Sequence, residues 1–363
     1  MKAVGFGSVL LAALFGVAST NSISTREIRK RLHTYPSHVK TSPGSYIIQF
    51  ENDAPDNHAD HYQAISEVDV NHQADDSIDP LQLASVEKVK RVWPVRHYTI
   101  ASQCGKSSGA PDPYLHKPTG VERVVEELGL SGKGVHIGVV DSGVDYTHPE
   151  LGGCWKTEGC MWQYGADLVG DNFNPSVGDT ETNPGPVPMD CDGHGTHVSG
   201  IIAGQGPNVR GVAPNVTLGM YRVFGCLAAN GAGGTSDDIV IKAVEMAFND
   251  KSDIISISIG EGSWPDEPLS IAATNIANKG TVVVAAAGND GKGGLFTANA
   301  PAVAKGIIGV GSVDNWDYTV VEMVISNPVS SSPIVTTLSS VVDHQFEFDL
   351  ETTYRANNHC KRN

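Results

Sequence analysis

Positive charge is in short supply in this sequence: 25 Lys and Arg stand against 41 Asp and Glu, a formal net charge of -16. A surface that grips a phosphate backbone needs clustered cations, which argues against nucleic acid as a partner. Cysteine is sparse too. The six residues Cys104, Cys154, Cys160, Cys191, Cys226 and Cys360 include no Cys-x-x-Cys pair, so a zinc ribbon is disfavoured. They fit an oxidising compartment and leave the disulfide pairing open. After the first residues, no stretch approaches the roughly 18 apolar residues of a membrane-spanning helix. Glycine, present 40 times, is missing from Ser312 to Asn363. That tail lacks the residue that tight turns of an α/β fold use. Nor is there a repeat of solenoid period.

What is present is an ordinary globular mix, 40% hydrophobic and 18% charged. Lys2, the apolar run Val4–Val17 and the small residues Gly16 to Ala18 predict a secretory signal over residues 1–20. The mature chain is then expected outside the cell, without a membrane partner. Residues 21–105 read as a small α+β module. Tyr46–Phe50 reads as its strand, His58–Val70 as a helix, and Val86–Trp93 as a helix or strand before Pro94. A Ser-, Gly- and Pro-rich linker, Ser102–Pro118, leads into residues 106–318. There, helical spacing at Val121–Leu128 ends at Gly129. Short apolar runs at Val135–Val140, Leu218–Phe224, Ile254–Ile259, Thr281–Ala287 and Ile307–Val313 alternate with helical patterns at Gly195–Ala203, Asp237–Phe248 and Pro268–Asn278. Leu151–Met189 reads as a long loop. This alternation predicts an α/β fold on a parallel sheet, with its site beyond the carboxyl ends of the strands. The remainder, 319–363, alternates Val, Ile, Ser and Thr from Val320 to Val342. It reads as strands of an inserted domain or an aberrant tail.

Three segments carry chemistry. Val139-Val140-Asp141-Ser142-Gly143 places a carboxylate at a strand's end. An aspartic protease also uses Asp-Ser/Thr-Gly, but it needs two such carboxylates sharing a proton, and only one copy occurs. Asp192-Gly193-His194-Gly195-Thr196-His197 places an imidazole, with a reference pKa of about 6.5, between glycines at a helix start. Metal binding by His194 and His197 would need further ligands, and none is evident. Ala287-Gly288-Asn289 leaves an amide at another strand end, where it can donate to a developing oxyanion.

In this order the three segments resemble the subtilisin-like serine proteases (peptidase family S8). Asp141-Ser142-Gly143, His194 to Gly200 and Ala287-Gly288-Asn289 match that family's motifs. Gly132–Leu151, Gly211-Val212-Ala213-Pro214 and Ser256–Gly260 also resemble its pattern. Tyr46–Phe50 resembles part of its inhibitory propeptide. Leu151–Cys154 and Tyr221–Cys226 look most like fungal extracellular members. The resemblance implies a doubly wound parallel sheet with helices on both faces, preceded by a propeptide module. It implies that Asp141 orients His194, that His194 is the general base for a serine, and that Asn289 is the oxyanion donor. It also implies that polypeptide substrates lie between Ser258, Ile259 and Gly260 on one side and Gly231, Gly233 and Gly234 on the other. The module at 21–105 would be an intramolecular inhibitor.

The family's Gly-Thr-Ser-Met-Ala, which carries the nucleophile, does not occur here. The one Gly-Thr-Ser, Gly234-Thr235-Ser236, precedes Asp237 and reads as a substrate-side loop opening a surface helix. The expectation is therefore a chain that ends ahead of its nucleophile and is inactive as written. The alternative is a non-catalytic decoy or inhibitor acting through the propeptide-like module. No cofactor is expected. Asp167, Asp171 and Asp179 are candidates for a structural calcium but lack EF-hand spacing, so a solvated loop is the expectation. Asn215-Val216-Thr217 is the one glycosylation sequon.

Overall fold

The structure, a computed structural model, describes residues 24–51 except 38, 79–99, and 119–312 except 207–209, 227–233 and 263, together with the backbone of 321–325 and 334–338. The first part is an α+β unit. Ser24 caps the helix Thr25–Arg31 through its hydroxyl. Strand β1 (Thr41–Phe50) follows. The helix Pro80–Ser85 opens on an Asp79 cap, and β2 (Val89–Thr99) pairs antiparallel with β1. Ile48, Phe50, Leu83, Ala84, Val89 and Val92 make its small core. Pro94, expected to follow this segment, lies inside β2. It faces Tyr46 next to a register shift, and on the other edge of β2 it falls between the bridge of Val92 to Leu32 and the ladder that begins at His97, so its missing N–H costs no ladder bond on that side. The expected helix His58–Val70 lies outside the described residues.

The main body is a six-stranded, wholly parallel sheet in the order β4-β5-β3-β7-β8-β9. Its strands are β3 (His136–Asp141), β4 (Trp162–Asp167), β5 (Thr217–Arg222), β7 (Ile254–Ile257), β8 (Val282–Ala286) and β9 (Ile308–Val310). The chain starts at β3, winds out to β4 and back to β5, then crosses to β7 on the other side. The carboxyl end of β3 therefore opens where the winding changes direction, which is where α/β sheets hold their sites.

Side chains alternate along each strand and build two cores. Val140, Tyr221, Ile255, Ile257 and Ala285 pack with Val240, Val244, Leu269 and Ala273 of the helices Asp237–Asn249 and Pro268–Ala277. Val139, Leu218, Met220 and Trp162 pack on the other face with Ala203 of the helix His194–Ala203. Ile47, Trp93, Val95 and Tyr98 of the first unit join the former core.

Two expectations need correction. The long loop Leu151–Met189 contains β4. Its tight approach to β5, where Gly165 (φ +109) has no room for a Cβ beside the Met220 backbone, replaced the usual β-branched signature with glycine. The helix starting at Asp237 is not a surface helix: eight of its residues are buried, Asp237 and Asp238 among them. Helix Val121–Leu128 and its left-handed Gly129 cap fall where the spacing predicts. In the tail, β10 (Val321–Ile325) and β11 (Ile334–Leu338) form an antiparallel pair.

Candidate active site

The site grows from the last residue of β3. Asp141 is fully buried, and its Oδ1 accepts from the Ser142 N–H at 2.7 Å. His194 is the first residue of its helix, launched by Gly193 in the left-handed region (φ +102). Gly195 passes so close to Gly143 and Asp141 that a Cβ there would collide with the Gly143 carbonyl. This contact lets the imidazole reach the strand end. His194 Nδ1 lies 2.7 Å from Asp141 Oδ1, so with the carboxylate ionised the Nδ1–H donates to it. Nε2 is left as the nitrogen available for a reacting group. The imidazole keeps a quarter of its surface exposed.

Burial pushes the Asp141 carboxyl above its ordinary range, and the hydrogen bond and charge of His194 pull it back only partly. The second oxygen, Oδ2, is buried without a protein donor. Burial pulls the His194 imidazole down, but the hydrogen bond and charge of Asp141, with Asp192 and Asp190 adding to them, hold it above its ordinary value. The two shifts belong to one coupled pair.

Sequence reading missed the groups that hold this pair. Asp190 accepts at Oδ1 from the Ser142 hydroxyl (3.0 Å) and the N–H groups of Asp192 (2.9 Å) and Gly193 (3.0 Å). At Oδ2 it accepts from the Thr196 N–H (3.0 Å) and hydroxyl (2.6 Å). These backbone and hydroxyl donors outweigh burial and hold its carboxyl below the usual range. The Ser142 hydroxyl in turn accepts from Gly195 N–H at 2.8 Å. The loop before His194 is thus tied to the strand that carries Asp141. A disulfide, Cys191–Cys226, fastens the same loop to the segment after β5. A second disulfide joins Cys154 and Cys160, while Cys104 and Cys360 lie outside the described residues. Buried Arg222 reaches Asp167 (3.2 Å) and Asp171 (2.8 Å), two of the acidic residues considered for calcium. The third, Asp179, bonds through its backbone to Asn174.

Two strands away in the same sheet, β8 is followed by Ala287, Gly288 and exposed Asn289. Val140 lies beside Ile257, and Ile257 beside Ala285, so both strand ends open on one edge. At about 4.8 Å per strand, they stand roughly 10 Å apart. Between them lie Ser258, Ile259 and Gly260, with Ile259 buried and the other two partly exposed. Asn299 ties these loops together. Its amide donates to Asp290 Oδ2 (2.9 Å) and to the Gly260 carbonyl (3.4 Å), and its N–H donates to Ala287 O (2.9 Å). No local pattern marked Asn299, because its partners come from two other strand ends. Gly231 and Gly233 lie outside the described residues. Their neighbour Gly234 begins β6 (Gly234–Ser236), which pairs antiparallel with His97–Thr99 of β2. Ser236, weighed as a nucleophile, donates its buried hydroxyl to Asp238 at 2.6 Å. Asn215 is exposed and donates to the Ser131 hydroxyl at 2.8 Å.

The sequence model of the subtilase family matches residues 132–360. The chain is 34% identical over 239 residues to the minor extracellular protease Vpr of Bacillus subtilis (strain 168), covering 64% of this chain and 28% of that protein. It is 36% identical over 187 residues to the thermophilic serine proteinase of Bacillus sp. (strain AK1), covering 51% and 39% respectively. It is 36% identical over 189 residues to the major intracellular serine protease of Bacillus subtilis (strain 168), covering 51% and 53%. This chain therefore spans between 28% and 53% of these relatives' lengths.

Proposed function

Since the chain belongs to the subtilase family, we propose that it supplies the aspartate, histidine and oxyanion donor of a secreted serine endopeptidase. The observation that carries this reading is the buried Asp141 bonded at 2.7 Å to a partly exposed His194. In the proposed reaction, His194 Nε2 takes the proton of a serine hydroxyl as that oxygen attacks a peptide carbonyl, then returns it to the leaving amine. Asp141 fixes the imidazole's tautomer and stabilises the imidazolium. The Asn289 amide donates to the oxyanion. No cofactor enters this chemistry. Substrate backbone lies as an added strand between Ser258–Gly260 and Gly231–Gly234.

The 21–105 module is read as the intramolecular inhibitor, and the pairing of β2 with β6 supports that reading. A strand of the module already pairs with Gly234, the last residue of the edge proposed for substrate. The same pairing supports the second reading, a non-catalytic inhibitor that adds β2 to related proteases. No segment of the 363 residues matches the family's nucleophile motif Gly-Thr-Ser-Met-Ala, so these residues by themselves are read as inactive.

A fluorophosphonate probe tests this directly. The 363-residue chain should stay unlabelled, and a transcript-encoded form that continues into Gly-Thr-Ser-Met-Ala should be labelled in a His194-dependent manner. Labelling of the shorter chain would place a nucleophile among its own residues. A continued form that resists the probe would remove the serine-protease reading.

A further inference from the structure

The contact between the first unit and the main body contains a buried cation. Arg96 of β2 is 2% exposed. Its Nε donates to Asp237 Oδ2 at 3.0 Å, its Nη2 to Asp237 Oδ1 at 3.2 Å, and its Nη1 to Glu267 Oε2 at 2.7 Å. The Arg96 N–H also reaches Asp237 Oδ2, at 3.2 Å. Nη2 donates to the Tyr98 hydroxyl at 2.8 Å, and that hydroxyl donates to Asp237. The guanidinium lies over the rings of Tyr35 and Tyr98. Asp237 is the first residue of one helix and Glu267 caps the next, each near the positive end of a helix dipole. A Cβ on Gly262 (φ +73) would press on both Glu267 and Arg96, so this turn closes over the ion pair.

Of the other contacts across this boundary, the Arg91–Asp266 ion pair (2.6 Å) has both side chains exposed to solvent and adds little, and the rest are not selective. The β2–β6 ladder joins three residue pairs through main-chain atoms, which any strand offers. Ile47, Trp93 and Val95 contribute apolar burial, which other hydrophobic side chains also provide. A buried charge behaves differently: removing one partner leaves the other desolvated and uncompensated. A strand without the cation would strand two carboxylates. A body without the carboxylates would strand the guanidinium.

We propose that Asp237 and Glu267 form an acceptor built for an extended strand carrying an arginine and, two residues on, a tyrosine, and that Arg96 is the key by which residues 24–99 recognise this body in preference to others. The proposal rests on reading 24–99 as a separable module, but it does not require that module to inhibit anything.

Amide hydrogen exchange on the full chain tests it, comparing the parent with Arg96→Met and with the uncharged triple variant Arg96→Met, Asp237→Asn, Glu267→Gln. Arg96→Met should lower protection in 89–99 and 234–236 by at least about 100-fold while 136–141 and 217–222 keep theirs. The triple variant should recover to within about tenfold of the parent, because no charge is then left unpaired. Unchanged protection in Arg96→Met overturns the proposal, as does a triple variant no better protected than the single. Should Arg96→Met fail to fold, the triple variant decides alone: restored protection of 89–99 supports the key, and its absence overturns it. Inhibition of a related protease is a separate assay, so failure of the inhibitor reading would leave the exchange result standing.

Discussion

His194 sits between two opposing influences, burial and carboxylates, and Asp141 is the partner that decides the balance. The sign of the linkage follows. With its folded pKa raised, the imidazole contributes stability that is fully present below about pH 6.5 and is lost as pH rises through the folded value. Asp141→Asn removes the charge and leaves the burial, so the His194 pKa should fall and this pH-dependent stabilisation should shrink. Titration of the His194 ring protons by NMR, with urea midpoints on either side of neutrality, measures both. An imidazole that titrates unchanged in the variant would mean the 2.7 Å bond does not govern its charge. At this scale the sequence was readable, because Asp141 and His194 each sit in a short motif whose glycines exist to bring their backbones together. Asp190 and Asn299 were not, because their meaning lies in donors gathered from separate segments.

Elements are held at the site by ties that cross the chain. The disulfide Cys191–Cys226 closes 35 residues and anchors the loop three residues before His194. Loop-closure entropy puts its contribution at about 4 kcal/mol, an upper figure because strain and residual structure subtract from it. Cys191→Ser with Cys226→Ser should therefore lower stability by roughly 2–4 kcal/mol in denaturant unfolding. The Asp190 bonds should still hold His194 beside Asp141. Loss of the low-field Nδ1 proton in that variant would show that the disulfide, not Asp190, positions the imidazole. Most strands were legible from their apolar runs. Strand β4 was hidden because glycine at 165 was required by the neighbouring backbone. Strand β2 was misjudged at Pro94 because the consequence of a missing N–H depends on which edge is paired.

Over the whole molecule, the parallel sheet ends in two edge strands, β4, whose apolar side chains are at least partly covered, and β9, whose apolar side chains are exposed. Among the described residues β9 is paired on one edge only, and Ile308 and Val310 are 54% and 49% exposed. Leu295 and Phe296 are exposed on the segment leading to it. An open strand edge flanked by apolar side chains invites pairing with another chain. The 363-residue chain should self-associate despite its charge of -16, and Ile308→Lys should reduce that association in sedimentation velocity. Equal association by both forms would clear β9 of the role.

The sequence alone determined the α/β class, the order of most elements and the identity of the Asp141–His194 pair. Periodicity and motif glycines are local properties, written in consecutive residues. Tertiary structure alone decided that β2 lies on β6, that a helix expected at the surface is buried, and that Arg96 finds its carboxylates 141 and 171 residues away. Those outcomes depend on which desolvated charges and open backbone edges meet in space. No window of sequence contains both halves of such a meeting.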